Sequence, residues 1–285
     1  MKDLHFIVQI GVGFGEVLSG GVLVYHKLAY EIANRGHKVT IFTTPQYPHQ
    51  NINVEAGNNA NNLNFDFDID NTIIIPALDW KNKIGIKNVA RWVLFHVNKH
   101  DTRNIDDTDI IYNFGTFKIE DKNKNTKNKL RVIDYKTDIF YNHNKPRNKK
   151  YCFITNKDHP ENWEEIFNGY DAYNLTNWKQ LGAWEYLAQK FNEYEYFLTF
   201  DQKSMYPVLA ALCGTKSIII NNNNITPLEY KLTNPEQLFG VAYGFGDLEW
   251  VNKTIDLTPF YVKSKIKEDQ TTVNNFIKYW EDKLK

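Results

Sequence analysis

The first 45 residues hold two apolar runs separated by a glycine-rich loop and a helical pattern, and this succession constrains the fold most. Residues 5–10 are rich in β-branched and apolar side chains, and residues 39–43 form a similar run that closes before Pro45. Between them, apolar residues recur at helical spacing from 23 to 33, and Gly36 follows as a stop signal. Strand, helix and strand within about forty residues form a βαβ unit, which requires a parallel sheet.

The same alternation continues to the end of the chain and predicts an α/β protein. Further strands are predicted at residues 72–75, 109–114, 130–133, 151–154, 196–200 and 217–220, and helices at 89–97, 177–191, 206–213 and 271–285. The polar, basic segment 142–150 is the predicted linker. We therefore predict two α/β halves that join near residue 146.

The charge balance argues against bulk nucleic-acid binding, since 34 basic residues face 34 acidic ones. No apolar run approaches the roughly 18 residues of a membrane span, and the N-terminal run is too short for a signal peptide. Cys152 and Cys213 lie among apolar residues and are predicted to be buried free thiols rather than a disulfide. Together these features predict a cytoplasmic protein without a transmembrane segment.

The glycine-rich loop departs from the dinucleotide-binding pattern. With Gly11 and Gly13 in register, the third glycine of GxGxxG would stand where the chain has Glu16. The second strand also ends without an acid that could hold a ribose, which argues against NAD. Gly20 and Gly21 would let a ligand approach backbone N–H groups at the start of the helix. The alternative is a tight turn between strand and helix.

A resemblance to a known family rests on this turn and on the second strand. Gly20-Gly21, followed by Leu28-Ala29 and by the sequence RGHKVTIFT at 35–43, resembles the N-terminal signature of GT-B glycosyltransferases of the family 4 type. The resemblance implies that the glycine turn contacts donor phosphates or acceptor. It also implies two Rossmann-like domains facing a central cleft.

The resemblance gives each predicted domain a role. Residues 1–146 would form the Rossmann-like acceptor domain, and residues 147–270 the nucleotide-sugar-binding domain. The last helix, 271–285, would pack back toward the N-terminal domain.

Residues 200–220 resemble the EX7E region of the same family. Asp201 falls where the first glutamate lies, whereas Leu209 stands in place of the second, ribose-binding glutamate. The resemblance implies that Ser204 and the backbone after it bind a nucleoside diphosphate, because a polar loop before a helix is a suitable anion site. The alternative is that Ser204 caps the helix.

Two cations complete the implied donor site. Lys157 follows a predicted strand at a position resembling the Arg/Lys pair that holds the donor pyrophosphate, and Arg147 is the candidate companion. A site without metal must neutralise the leaving diphosphate with side chains and dipoles. The alternative for Lys157 is a solvated surface charge.

Glu229 is a further donor-binding candidate. The segments at 227–230 and 240–244 resemble a surface-glycan branch of the family, and Glu229 could make the hydroxyl contacts that Leu209 lacks. The alternative is an exposed acid in a loop.

A transfer that inverts the anomeric centre needs a base near the acceptor hydroxyl. Glu16, His96 and Asp101 are the catalytic candidates, with His100 beside them. The alternative for each histidine is an ordinary core or surface position.

The acidic residues at 66, 68 and 70 alternate with apolar residues. This pattern favours a strand with one solvent-exposed face over a metal site. The sequence thus predicts no metal and no cofactor.

The predicted function is metal-independent transfer of a sugar from a nucleotide-diphosphate sugar to a glycan hydroxyl, so the predicted partners are that donor and a glycan acceptor. Two alternatives remain. One is a non-catalytic protein that binds carbohydrate or nucleotide sugar, and the other is an NAD-dependent enzyme that modifies nucleotide sugars.

Overall fold

The computed structural model describes residues 4–12, 20–45, 68–76, 85–94, 105–115, 119, 128–156, 159–181, 183–220 and 225–285. The chain divides into two compact units. Unit 1 consists of Met1–Asp134 and Ile266–Lys285, and unit 2 of Tyr135–Lys265. The division precedes the predicted boundary at 146 because the polar segment 142–150 is bonded into unit 2, where the His143 N–H donates to the Asn192 amide oxygen.

Strands and helices alternate in the second half of the chain, whereas five strands follow one another in the described part of residues 38–153. The strands are β1 (His5–Val12), β2 (Lys38–Pro45), β3 (Thr72–Ile75), β4 (Asn88–Val93), β5 (Ile110–Asn113), β6 (Lys149–Phe153), β7 (Tyr173–Asn174), β8 (Tyr194–Thr199), β9 (Lys216–Ile219) and β10 (Val241–Tyr243). The α-helices are α1 (Gly20–Ala33), α2 (Trp163–Gly169), α3 (Trp178–Leu181), α4 (Trp184–Glu193), α5 (Tyr206–Leu212), α6 (Pro227–Thr233), α7 (Leu248–Thr254) and α8 (Thr258–Lys283). Short 3₁₀ helices span Pro235–Gln237, Phe245–Asp247 and Ile255–Leu257.

Each unit is built on a parallel sheet of five strands. The order is β2-β1-β3-β4-β5 in unit 1 and β10-β9-β8-β6-β7 in unit 2. Numbered within its own unit, each sheet has the order 2-1-3-4-5. This order reverses direction between β1 and β3 and again between β6 and β8, and such switch points are where open α/β sheets bind ligands. The prediction of an α/β protein with two parallel, Rossmann-like sheets is confirmed.

The core of unit 1 follows from the alternation along β1. Every second residue of the strand packs in one cluster with α1 and the C-terminal part of α8. Members of this cluster from the three elements include Phe6, Val8, Leu28, Ile32, Phe276 and Trp280. Strand β1, helix α1 and strand β2 thus form the predicted βαβ unit.

The predicted helix at 89–97 is wrong over its described part, where the chain forms β4. All six residues of β4 are buried. A central parallel strand covered on both faces reads as a continuous apolar run, which sequence periodicity cannot distinguish from a buried helix. The single helix predicted at 177–191 is likewise divided into α3 and α4.

The last helix begins in unit 2 and continues into unit 1 from Ile266 onward. There the Asp269 carboxylate accepts the Ile133 N–H at 3.0 Å and lies 2.9 Å from the Arg131 guanidinium. These contacts hold segment 130–133, which does not form the predicted strand. In the described residues, no helix combines the length and apolarity needed to cross a membrane.

Candidate functional site

The switch point of unit 2 lies where β6 and β8 end side by side. Phe153 of β6 pairs with Leu198 of β8, and both strands end at the same edge of the sheet. Residues 154–156 continue from β6, and residues 200–205 connect β8 to α5. This edge therefore brings together the segments that carry the predicted donor residues Asp201 and Ser204.

The loop at 201–205 is held in place by two buried side chains from the following elements. The Tyr230 hydroxyl donates to the Gln202 carbonyl at 3.0 Å, and the Gln237 amide donates to the carbonyls of Gln202 at 3.0 Å and Ser204 at 2.8 Å. The Gln237 amide oxygen is a second acceptor that shares the Tyr230 hydroxyl proton. The loop is thus preorganised without a ligand, which lowers the entropic cost of binding.

The sequence analysis assigned no role to Tyr230 or Gln237. The sequence shows a tyrosine directly after the candidate Glu229. Only the tertiary structure shows that the Tyr230 hydroxyl reaches the loop at 201–205.

Asp201 and Thr155 place polar groups at the switch point. Both residues are 5% exposed, and the Asp201 N–H donates to the Thr199 hydroxyl at 3.1 Å. The Thr155 hydroxyl has no hydrogen-bond partner within the described ranges, although its backbone N–H donates to Thr176. A buried hydroxyl without a partner costs free energy that a polar ligand would recover.

Ser204 lies just before α5 and contacts the first turn of that helix. Its hydroxyl oxygen accepts the Tyr206 N–H at 3.2 Å, but the N-cap residue of α5 is Met205, without a side-chain capping bond, so Ser204 is not the helix cap. The Ser204 hydroxyl keeps a proton to donate.

Tyr206 is itself held by the Trp178 indole N–H, which donates to its hydroxyl at 3.2 Å. Burial raises the pKa of Tyr206, and the nearby charge of Asp201 raises it further, so Tyr206 stays neutral.

Glu229 is exposed and forms a capping box at the start of α6. Its carboxylate accepts from the Thr226 N–H at 2.7 Å and from the Thr226 hydroxyl at 2.8 Å, and its own N–H donates to that hydroxyl at 3.2 Å. These bonds lower the pKa of Glu229. They give the residue a role in helix stability, distinct from the predicted sugar contact.

Glu229→Ala is therefore expected to lower stability at pH 7, with a characteristic pH dependence. Because the folded-state pKa of Glu229 lies below the ordinary value of 4.5, this stabilisation is present above pH 4.5 and is lost as pH falls through the folded pKa. Urea denaturation between pH 7 and pH 3 measures it. Glu161→Ala is the control, because Glu161 is also exposed but takes no part in this capping box. An E229A difference that persists undiminished at pH 3 would contradict the assignment.

Arg147 lies at the opposite edge of the sheet, which corrects its predicted place in the donor site. It precedes β6, so it sits at the amino ends of the strands rather than beside Asp201 and Ser204. Its guanidinium donates at 2.7 Å to the Phe191 carbonyl, at 2.9 Å to the Tyr194 carbonyl, at 2.9 Å to the Thr215 hydroxyl, and also to the Cys213 carbonyl. Arg147 thus joins the ends of α4 and α5 and has a structural role.

Gly214 completes this arrangement. It has φ +80°, and a β-carbon there would lie 2.8 Å from the Arg147 guanidinium and 2.6 Å from the Asn142 amide nitrogen. The positive φ favours glycine, and a β-carbon would displace the Asn142 and Arg147 side chains. Cys152 and Cys213 are buried free thiols, as predicted, and burial raises the pKa of Cys213 to about 12.

Gly20 and Gly21 begin α1 at the carboxyl edge of the unit 1 sheet. A β-carbon built on Gly21 meets no atom within 4 Å among the described residues. Among the described residues, crowding therefore gives no reason for glycine at position 21.

Several predicted residues lie outside the described ranges, namely Lys157, Glu16, His96 and Asp101, together with His100 and Asp66. Asp68 accepts the N–H groups of Asp70 at 3.0 Å and Asn71 at 3.3 Å, so these residues form a turn before β3 instead of the predicted strand. Among the residues with described positions, no three His, Cys, Asp or Glu side chains are grouped as metal ligands.

Comparison with models of known protein families finds no match, and a search of curated proteins finds no relative of the chain.

Proposed function

We propose that the protein is a GT-B-like, metal-independent glycosyltransferase that takes its sugar from a nucleotide-diphosphate sugar and acts in the cytoplasm. The observation that carries this proposal is the position of Asp201 and Ser204 at the switch point between β6 and β8. The matching strand order of the two units and the inclusion of Ile266–Lys285 in unit 1 add support.

In this reaction the bond between the anomeric carbon and the diphosphate oxygen breaks, and the acceptor oxygen bonds to the carbon and loses its proton. The leaving diphosphate gains charge, which Lys157 and the Ser204 hydroxyl would stabilise. Asp201 would accept hydrogen bonds from ribose or sugar hydroxyls. Glu16, His96 or Asp101 would take the acceptor proton if the transfer inverts the anomeric centre.

A thermal-shift screen against UDP, GDP, CDP and dTDP with EDTA present tests the proposal. One nucleoside diphosphate is expected to raise the Tm, because a ligand at one hundred times its Kd stabilises the folded state by about 2.7 kcal/mol. NAD is the control nucleotide. No shift with any diphosphate would contradict the proposal, and a shift with NAD alone would favour the NAD-dependent alternative.

Leu209 favours the non-catalytic binding protein as the second candidate. It replaces the second glutamate of the family motif and is 1% exposed within α5, so it packs in the core and offers no polar contact. A binding protein of this kind would hold nucleotide sugar or carbohydrate without transferring the sugar. Hydrolysis or transfer of the donor by purified protein separates them, because a binding protein leaves the donor intact.

A further inference from the structure

The two side chains that anchor the loop at 201–205 bond to its backbone carbonyls. The Gln202 carbonyl accepts from the Tyr230 hydroxyl at 3.0 Å and from the Gln237 amide at 3.0 Å, and the Ser204 carbonyl accepts from the same amide at 2.8 Å. Both protons of the Gln237 amide are therefore used on the loop.

These anchored carbonyls fix the residues that carry the proposed contacts to the nucleotide sugar. Asp201 directly precedes the first anchored carbonyl, and its N–H donates to the Thr199 hydroxyl at 3.1 Å. Ser204 is held on both sides, since its hydroxyl oxygen accepts the Tyr206 N–H at 3.2 Å and its carbonyl accepts the Gln237 amide. The positions of the Asp201 carboxylate and the Ser204 hydroxyl thus depend on where the loop backbone is held.

The two anchoring side chains are themselves fixed by burial. Tyr230 is 1% exposed and Gln237 is 4% exposed. The Tyr230 ring stacks on the Tyr243 ring, with centroids 4.4 Å apart and an interplanar angle of 16°. Burial raises the pKa of Tyr230 well above its ordinary value, so the hydroxyl keeps its proton for the loop. Moving the loop would leave these buried polar groups unpaired, which costs free energy.

The anchors come from a later part of the chain than the loop. Tyr230 lies in α6 and Gln237 in the 3₁₀ helix that follows, and their bonds reach 28 to 35 positions back along the sequence. Without these bonds the loop would have to be ordered when a ligand binds. That ordering costs conformational entropy and weakens the affinity.

We propose that Tyr230 and Gln237 are positioning residues for the nucleoside diphosphate and act on it through the backbone of the loop at 201–205. The identity of this ligand rests on the proposed function, whereas the anchoring of the loop does not. Neither side chain needs to touch the ligand, because each acts through Gln202 or Ser204.

Tyr230→Phe and Gln237→Met test the proposal in the full chain. Tyr230→Phe removes only the hydroxyl and keeps the stacked ring, and Gln237→Met removes the amide at a similar side-chain volume. Tyr25→Phe in unit 1 is the matched control. It also removes the hydroxyl of a buried tyrosine that donates to a carbonyl, in this case that of Pro76 at 3.3 Å.

Limited trypsin digestion measures the order of the loop without any ligand. Lys203 is an exposed residue of the loop, and cleavage after it requires the loop to open. Both loop variants should be cut after Lys203 about fivefold faster than the wild type and the control, as identified by mass spectrometry. Cleavage after Lys263, an exposed residue of α8, is the internal reference and should stay unchanged.

Binding is measured by isothermal titration with UDP, GDP, CDP and dTDP, well below the Tm of every variant. The diphosphate that the wild type binds should bind Tyr230→Phe and Gln237→Met about tenfold more weakly, and Tyr25→Phe with unchanged affinity. In turnover of the nucleotide sugar with the same base, the KM should rise by a similar factor and the kcat should change less than about twofold. The reason is that the cost of ordering the loop is met when the nucleotide sugar binds.

Unchanged cleavage after Lys203 in both loop variants would overturn the proposal, and so would faster cleavage combined with unchanged affinity for the diphosphate. If Gln237→Met does not fold, Tyr230→Phe decides the question. A wild-type protein that binds no nucleoside diphosphate removes the proposed transferase. The cleavage rates still decide in that case whether Tyr230 and Gln237 hold the loop.

Discussion

Arg147→Met is expected to lower the free energy of unfolding by about 3–5 kcal/mol, because it removes several charge-assisted hydrogen bonds at once. The guanidinium donates to carbonyls at the ends of α4 and α5 and to the Thr215 hydroxyl. Methionine fills part of the same volume but donates nothing, so the acceptors lose their partner in a half-buried place. Loss of this size is a large share of the total stability of a typical domain.

Guanidinium denaturation followed by circular dichroism measures this effect. Lys145→Met is the matched control, since Lys145 is an exposed cation two residues away and its loss should change stability by no more than about 0.5 kcal/mol. The opposite result is informative too. If Arg147→Met kept its stability and lost nucleoside diphosphate binding, Arg147 would belong to the donor site as the sequence predicts.

Lys157→Ala is expected to reduce sugar transfer by about 10²–10³-fold and to leave the fold intact. The reason is that the leaving diphosphate gains negative charge, and removal of one preorganised stabilising group typically costs that factor in rate. The prediction depends on the resemblance and on the place of Lys157 in the chain, directly after the segment that leaves β6. Transfer is assayed with the nucleotide sugar identified by the thermal-shift screen.

Lys145→Ala serves as the control here, because it removes a cation from an exposed position outside the switch-point segments. Circular dichroism and the Tm of both variants should match the wild type. Unchanged turnover in Lys157→Ala would remove the residue from the donor site, and a collapsed Tm would show that its role is structural.

Local sequence patterns were sufficient to predict the strands that consist of a continuous run of apolar or β-branched residues. Residues 72–75 are β-branched and form β3, and residues 5–10 fall within β1. The stretch at 88–93 could not be assigned in this way, because burial on both faces removes the alternation that marks a strand. Asp201 and Ser204 were found through a motif, whereas the Gln237 and Tyr230 bonds that hold their loop join positions some thirty residues apart.

The sequence by itself determined the α/β class, the parallel βαβ start and the buried free thiols, since periodicity, turn residues and composition act over short distances. Only the tertiary structure decided the strand order, the return of Ile266–Lys285 to unit 1 and the fate of individual polar side chains. Arg147 and Gln9 show why. Whether a guanidinium or an amide has partners depends on groups that folding brings from far along the chain, so Arg147 is paired with carbonyls more than forty residues away and Gln9 has no partner in the described structure.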